Sequence, residues 1–231
     1  MILFENTKIY GWEPAIRGMR NPMNSWDKSD TTFGSDGSLM GGLGQNDYGL
    51  MKKLAEAGQV HGKYLRMITV TVDIVAPLYW WKEFDTYKVG VVVNSCSTMH
   101  KIQAKEFTLD DFSHEHLISY YDPGEEFIPL WEDEDDGQTV YTATLSVLKE
   151  IVIVLNYYRE KFLKTNNKKY WWQMIQLLPS SYNQRRTVQL NYAVLKGIYE
   201  YRKDHKQDEW RVGFSEWIKR LPYSEFITGE Y

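Results

Sequence analysis

Arg185, Arg186 and Arg202 are the residues best equipped for chemistry in this chain. Each offers a planar, permanently charged fork that suits a phosphate or an electron-rich pyrimidine carbonyl. They lie in a basic stretch: between Arg159 and Lys206, Lys161, Lys164, Lys168, Lys169, Lys196, Lys203 and Lys206 join the arginines against only Glu160, Glu200 and Asp204. That stretch is suited to an anion such as a nucleotide phosphate, although a solvated helix surface accounts for the same residues. Other constellations carry less. His114 and His116 are two apart and diverge on a helix, so no metal site is expected. Gly41, Gly42 and Gly44 precede a helix but follow no strand, which leaves a flexible loop rather than a phosphate cradle. The pairs Trp80-Trp81 and Trp171-Trp172 read as core before they read as a stacking platform. No Ser-His-Asp order stands out and Cys96 has no recognisable base, so covalent nucleophilic catalysis has little support.

Composition sets the frame in which those residues must be placed. A chain of 231 residues with 43% hydrophobic and 15% aromatic residues has apolar surface enough to fold, and one domain spanning 1–231 is expected. One cysteine excludes an intrachain disulfide and favours a reducing, cytoplasmic setting. The longest purely apolar run, 151–155, is too short to cross a bilayer, and the N-terminus has no leader-like pattern. The net charge of −4 hides an acidic run from Glu132 to Asp136, which marks 122–137 as an exposed acidic loop. Nothing points to nucleic acid.

The elements that must position the arginines can be sketched from periodicity. The stretch to about Gly44 has no sustained period and reads as mostly loop. Asn46 or Asp47 is expected to cap a helix running to Ala57. Tyr64 to Val75 alternates and reads as a strand, and Pro77 opens an aromatic-rich helix from Leu78 to about Lys88. Val91–Val93 suggests a short strand, and Thr108 caps a helix holding Leu109, Phe112, His116 and Leu117. Helices follow from about Thr139 to Lys164, Tyr170 to Leu177, Asn183 to Lys203 and Glu209 to Leu221. The fold class is thus α/β (α+β), a mixed sheet flanked by long helices, with a helical C-terminal half.

Two ordered segments add a family. Gly58 to His61, the strand ending Ile74-Val75-Ala76-Pro77, the run from Leu78 to Lys88 and then Asn94-Ser95-Cys96-Ser97 form the first. Leu178 to Gln184, Thr187 to Asn191 and Arg202 to His205 form the second. In this order they resemble the flavin-dependent thymidylate synthases. The family's Arg-His-Arg signature stands here as Thr86, Tyr87 and Lys88, and its following serine is best matched by Ser97, one residue further on. Its Arg-Gln pair appears as Lys82 and Glu83, and its Asn-Glu as Asn94 and Ser95.

The resemblance implies reductive methylation of deoxyuridylate or a related pyrimidine nucleotide, using FAD, NADPH and methylenetetrahydrofolate, in a homotetramer. It implies that Arg202 contacts and activates the pyrimidine by fixed charge. Lys88, Ser97, Glu83, Arg185 and Arg186 are thus expected at the nucleotide, the two arginines on their charge alone, and Thr86, Tyr87, Asn94, Ser95 and Asn191 at the cofactor. Loss of the signature arginines leaves a second reading, a nucleotide-binding homologue without the flavin chemistry. A third is an assembly protein whose acidic run meets a basic partner.

Overall fold

A computed structural model describes residues 2–132 and 138–231. In chain order the strands and helices begin with β1 (Leu3–Tyr10), α1 (Trp12–Arg20), β2 (Thr32–Phe33), β3 (Leu39–Met40), α2 (Gln45–Glu56), β4 (Thr69–Pro77), α3 (Leu78–Phe84) and β5 (Val92–Ser95). They continue with α4 (Thr98–Lys101), β6 (Ile128–Glu132), β7 (Thr139–Thr142), α5 (Thr144–Thr165), α6 (Lys168–Leu177), β8 (Asn183–Asn191), α7 (Tyr192–Arg202), α8 (Ser215–Lys219) and α9 (Glu225–Thr228). The chain packs as two compact units, one built from Ala76–Trp81 and Cys96–Gln184, the other from Ile2–Val75, Lys82–Ser95 and Arg185–Tyr231.

The larger unit is organised by a sheet of order β1-β4-β8-β5, with antiparallel pairing of β1 to β4 and of β5 to β8. Val70, Val72 and Ile74 of β4 and Val188 and Leu190 of β8 are buried, the period-2 pattern of a strand with one face in a core. Helix α7 is started by Asn191, whose side chain accepts from Val194 N at 3.0 Å and so satisfies one of the open N–H groups of the first turn. Phe84 stacks against Trp210 with centroids 6.3 Å apart, and both rings are buried.

The smaller unit is a helical hairpin with its own core. Leu148 and Leu155 of α5 and Met174 of α6 bury against Ile102, Phe107 and Phe112. Asn156, half-buried on α5, donates to Phe107 O and accepts from Phe107 N, both at 2.8 Å, and so pairs both backbone groups of that residue. Trp81 donates from Nε1 to Gln184 O at 2.9 Å.

Several expectations are corrected. The stretch before Gly44 is not mostly loop: it holds β1 and α1. In α1, Trp12, Ala15, Ile16 and Met19 bury one helical stripe, while β1 is an edge strand with little buried surface and so little alternation. The strand expected from Tyr64 begins at Thr69, after a 3-10 turn over Gly62–Arg66. The aromatic helix stops at Phe84, where the Thr86 hydroxyl donates to Glu83 O at 2.7 Å. Thr108 heads only a 3-10 turn, Leu109–Asp111, in a capping box with Asp111. Residues 139–142 form β7 before α5 begins, and 183–191 form β8 rather than helix. The 122–137 excursion contains β6, paired with β7, and its residues Asp133 to Asp136 lie outside the described residues.

Candidate functional site

Arg202 closes the last turn of α7, and three side chains fix its guanidinium. Its Nε donates to Tyr87 Oη at 2.8 Å and its Nη1 to Glu83 Oε2 at 2.7 Å. The guanidinium carbon lies 4.6 Å from the Trp210 ring centroid, within cation–π range. His205 Nε2 is 3.7 Å from the same Glu83 oxygen. Arg202 is only 17% exposed, yet among the described residues its Nη2 has no hydrogen-bond partner. The arrangement locks a planar fork in place and leaves one donor edge for a ligand oxygen.

The remaining expected site residues are distributed unevenly around this hub. Tyr87 and Glu83 belong to it. Thr86 spends its hydroxyl on Glu83 O. Lys88 is exposed and forms no ion pair among the described residues. Arg186 pairs with Asp85 at 2.8 Å, whereas Arg185 pairs with Glu5 at 2.6 Å and lies 3.7 Å from Asp73. As consecutive residues of β8 these two arginines project to opposite faces, so the structure does not bring them together. Hydrogen bonds from Thr187 and Asn6 hold the Asp73 carboxyl below the usual range, in keeping with a permanently charged partner for Arg185. Asn94 and Ser95 lie on β5, opposite Thr187 and Arg186. Ser97 belongs to the smaller unit, where it caps α4 by accepting from His100 N at 3.2 Å.

Asn191 lines a cavity of about 970 Å³ in the larger unit. Its wall is the stripe formed by the capping residue Asn191 and by Val194, Gly197 and Glu200 of α7, with Lys196 beside it, completed by Arg66, Val89, Gly90 and Tyr231. Val89 and Gly90 directly follow Lys88, and Glu200 stands on the same terminal turn as Arg202, so the cavity and the arginine hub share the C-terminal half of α7. Gly90 adopts φ 74° there, and a Cβ on it would come 3.0 Å from Val194 Cγ2, a close approach that favours glycine. Lys196 donates to Ala55 O at 3.2 Å, while Arg66 forms no ion pair among the described residues. Of these, Lys196 belongs to the basic stretch legible in the sequence, whereas Arg66 and Gly197 carry no such signal of their own. The every-third-residue stripe of α7 is the signal that marks the Gly197 face.

A flavin dinucleotide can be tested against this cavity. The volume suits a ligand of that size, and Arg66 and Lys196 are donors for its phosphates. Thr86 and Tyr87, at two of the signature positions, bring no charge, and only Lys88 does. The cavity therefore fits the group better than the signature positions do.

No family model matches the sequence, and no curated protein matches it. Solved structures do. Thymidylate synthase X from Helicobacter pylori, crystallised with FAD and dUMP, superposes with a TM-score of 0.63 at 15% identity, covering 99% of this chain and 96% of that one. The UMP/dUMP methylase PolB from Streptomyces cacaoi, bound with 5-Br dUMP, gives 0.61 at 14% identity, covering 99% and 94%. With its mixed α/β architecture, the chain has the fold of the flavin-dependent thymidylate synthases and of a related nucleotide methylase.

Proposed function

We propose that this protein binds a pyrimidine nucleotide and methylates its ring as a divergent flavin-dependent thymidylate synthase. The observation that carries the reading is the fixed guanidinium of Arg202, with Nη2 open, at the end of the helix that walls the large cavity. A pyrimidine carbonyl that accepts from Nη2 has its developing negative charge stabilised by a donor that needs no reorganisation. Tyr87 and Glu83 keep the fork in plane, and the Trp210 ring packs 4.6 Å from it. Lys88, exposed and without an ion pair among the described residues, meets the nucleotide phosphate. Arg66, Lys196 and Asn191, which line the cavity, would hold the FAD phosphates and ribose. FAD held there and reduced by NADPH would supply the reducing equivalents, and methylenetetrahydrofolate the one-carbon unit. No cysteine nucleophile is needed, in keeping with a chain whose single cysteine, Cys96, is exposed.

One observation favours the second reading, a nucleotide-binding homologue without redox chemistry. Thr86 and Tyr87 bring no cation to the signature positions, and Glu83 offsets the charge of Arg202.

The purified protein separates the two. Flavin absorbance together with a rise in Tm on adding dUMP or UMP supports the enzyme. A colourless protein that is still stabilised by the nucleotide and is not by added FAD supports the binder. If neither ligand raises Tm or binds in calorimetry, both readings fall.

A further inference from the structure

A second cavity, of about 500 Å³, is formed within the larger unit by β1, the β2–β3 hairpin, Trp12 at the start of α1, and α8 with the residues after it. Its lining is mostly apolar: Ile9, Trp12, Leu39, Trp217, Leu221 and Pro222. Thr7, Ser38 and Arg220 are the polar members. None of these residues lines the larger cavity or belongs to the Arg202 cluster, so the proposed nucleotide site makes no use of this one.

The two indoles are fixed by their neighbours. Trp217 donates from Nε1 to Thr7 Oγ1 at 3.2 Å and stacks on Phe4 with ring centroids 4.8 Å apart. Trp12 stands edge-on to Tyr192 and Tyr223, with centroids 5.5 Å and 5.4 Å away. Both indoles are buried and held before any ligand arrives, so a flat apolar group packs on them with little ordering cost. The polar members leave donors open. Thr7 Oγ1 accepts from Trp217 and keeps its own proton to give. Arg220 is exposed and forms no ion pair among the described residues. Ser38 spends its hydroxyl on Asp36, which does not line the cavity.

We infer that this cavity binds a small aromatic carboxylate, its ring against Trp12 and Trp217 and its carboxylate on Arg220, with Thr7 as a second donor. The volume lies within the range of about 300–1,000 Å³ usual for small-molecule sites. A neutral aromatic would leave the guanidinium unused, an amine would be repelled by it, and a phosphate dianion asks for more than one cation.

Calorimetric titration of the full chain gives the test, with naphthylacetate as the probe and naphthylacetamide and naphthylethylamine as its neutral and cationic counterparts. The acid is expected to bind about five- to tenfold more tightly than the amide, and the amine to bind more weakly than either. Arg220→Ala should bring the acid down to the affinity of the amide, and Arg220→Glu should reverse the order of acid and amine. Leu39→Trp, which fills the cavity, should remove binding of all three. Circular dichroism should stay unchanged in both Arg220 variants, because that side chain is exposed. No binding of the acid at millimolar concentration, equal affinity for acid and amide, or an Arg220→Glu variant that still prefers the acid overturns the proposal. Displacement of the acid by dUMP does so too, since it would put the acid in the nucleotide site. Should Leu39→Trp misfold, the Arg220 variants decide alone.

Discussion

Arg202 and Glu83, far apart in sequence, meet as Nη1 to Oε2 at 2.7 Å, and the same guanidinium donates from Nε to Tyr87. The carboxylate both orients the fork and offsets its charge. Glu83→Gln keeps the shape and removes the charge, so affinity for dUMP should rise by about three- to tenfold, a modest gain because Glu83 is partly exposed. Arg202→Ala should lower affinity about tenfold or more, the loss of one charged hydrogen bond. Arg202→Lys should not rescue it, because an ammonium cannot keep the Tyr87 bond and the stacking on Trp210 together. Calorimetric titration reads all three. If Glu83→Gln and Arg202→Ala change Tm and leave affinity unchanged, the cluster is only structural.

Gly197 stands inside α7 and on the cavity wall, and a Cβ added to it would meet nothing within 4 Å. Two substitutions there should therefore act in opposite ways. Gly197→Ala removes backbone freedom from a helix interior and should stabilise the protein by about 0.5–1 kcal/mol, a rise of about 2 °C in Tm. Gly197→Phe places a ring in the cavity and should abolish stabilisation by nucleotide and by FAD while the protein stays folded. Thermal unfolding with and without ligand checks both. Undiminished ligand shifts in Gly197→Phe would place the ligands elsewhere.

How far the sequence reached is clearest at β8 and α7. Val188 and Leu190 are buried at alternating positions, a strand period, but the helical spacing of the residues after them continues back to Asn183 and overlaps it. A helix read from Asn183 places Asn191 in its interior, whereas Asn191 caps α7 and so sets the stripe through Val194, Gly197 and Glu200. β1 offered almost no signal, since an edge strand buries little. The stripe of α1 was present at Trp12, Ala15, Ile16 and Met19 but was masked by Gly11 and Pro14. Helices α2, α5 and α6, whose packed faces repeat along their length, were legible within a few residues. In the site, the chemistry of Arg202 could be read from residue type and resemblance. Its bonds to Glu83 and Tyr87 could not, because they join residues more than a hundred positions apart in the chain.

The ion pair of Arg20 with Asp47 should govern acid stability. Both side chains are buried, with Nε and Nη2 of Arg20 each 2.7 Å from Asp47 Oδ1. The other oxygen of Asp47 accepts from the hydroxyls of Ser29 and Thr31 and from the backbone N–H groups of Asp30 and Thr31, which ties the loop before β2 to helix α2. Burial alone would raise the Asp47 pKa, but bonds from Thr31, Arg20, Ser29 and Asp30 outweigh it and hold the carboxyl below its ordinary value. A carboxyl depressed in the folded state contributes its full stability above its unfolded pKa of about 3.9 and loses it as pH falls through the lower folded value. Wild type should therefore lose stability progressively below about pH 4. Asp47→Asn leaves Arg20 charged and buried without a counter-ion, which should cost about 3–5 kcal/mol at neutral pH. The difference between variant and wild type should shrink as the pH is lowered through that window. Urea unfolding midpoints across the acid range measure it, and a difference independent of pH would show that the Asp47 charge carries none of the stability.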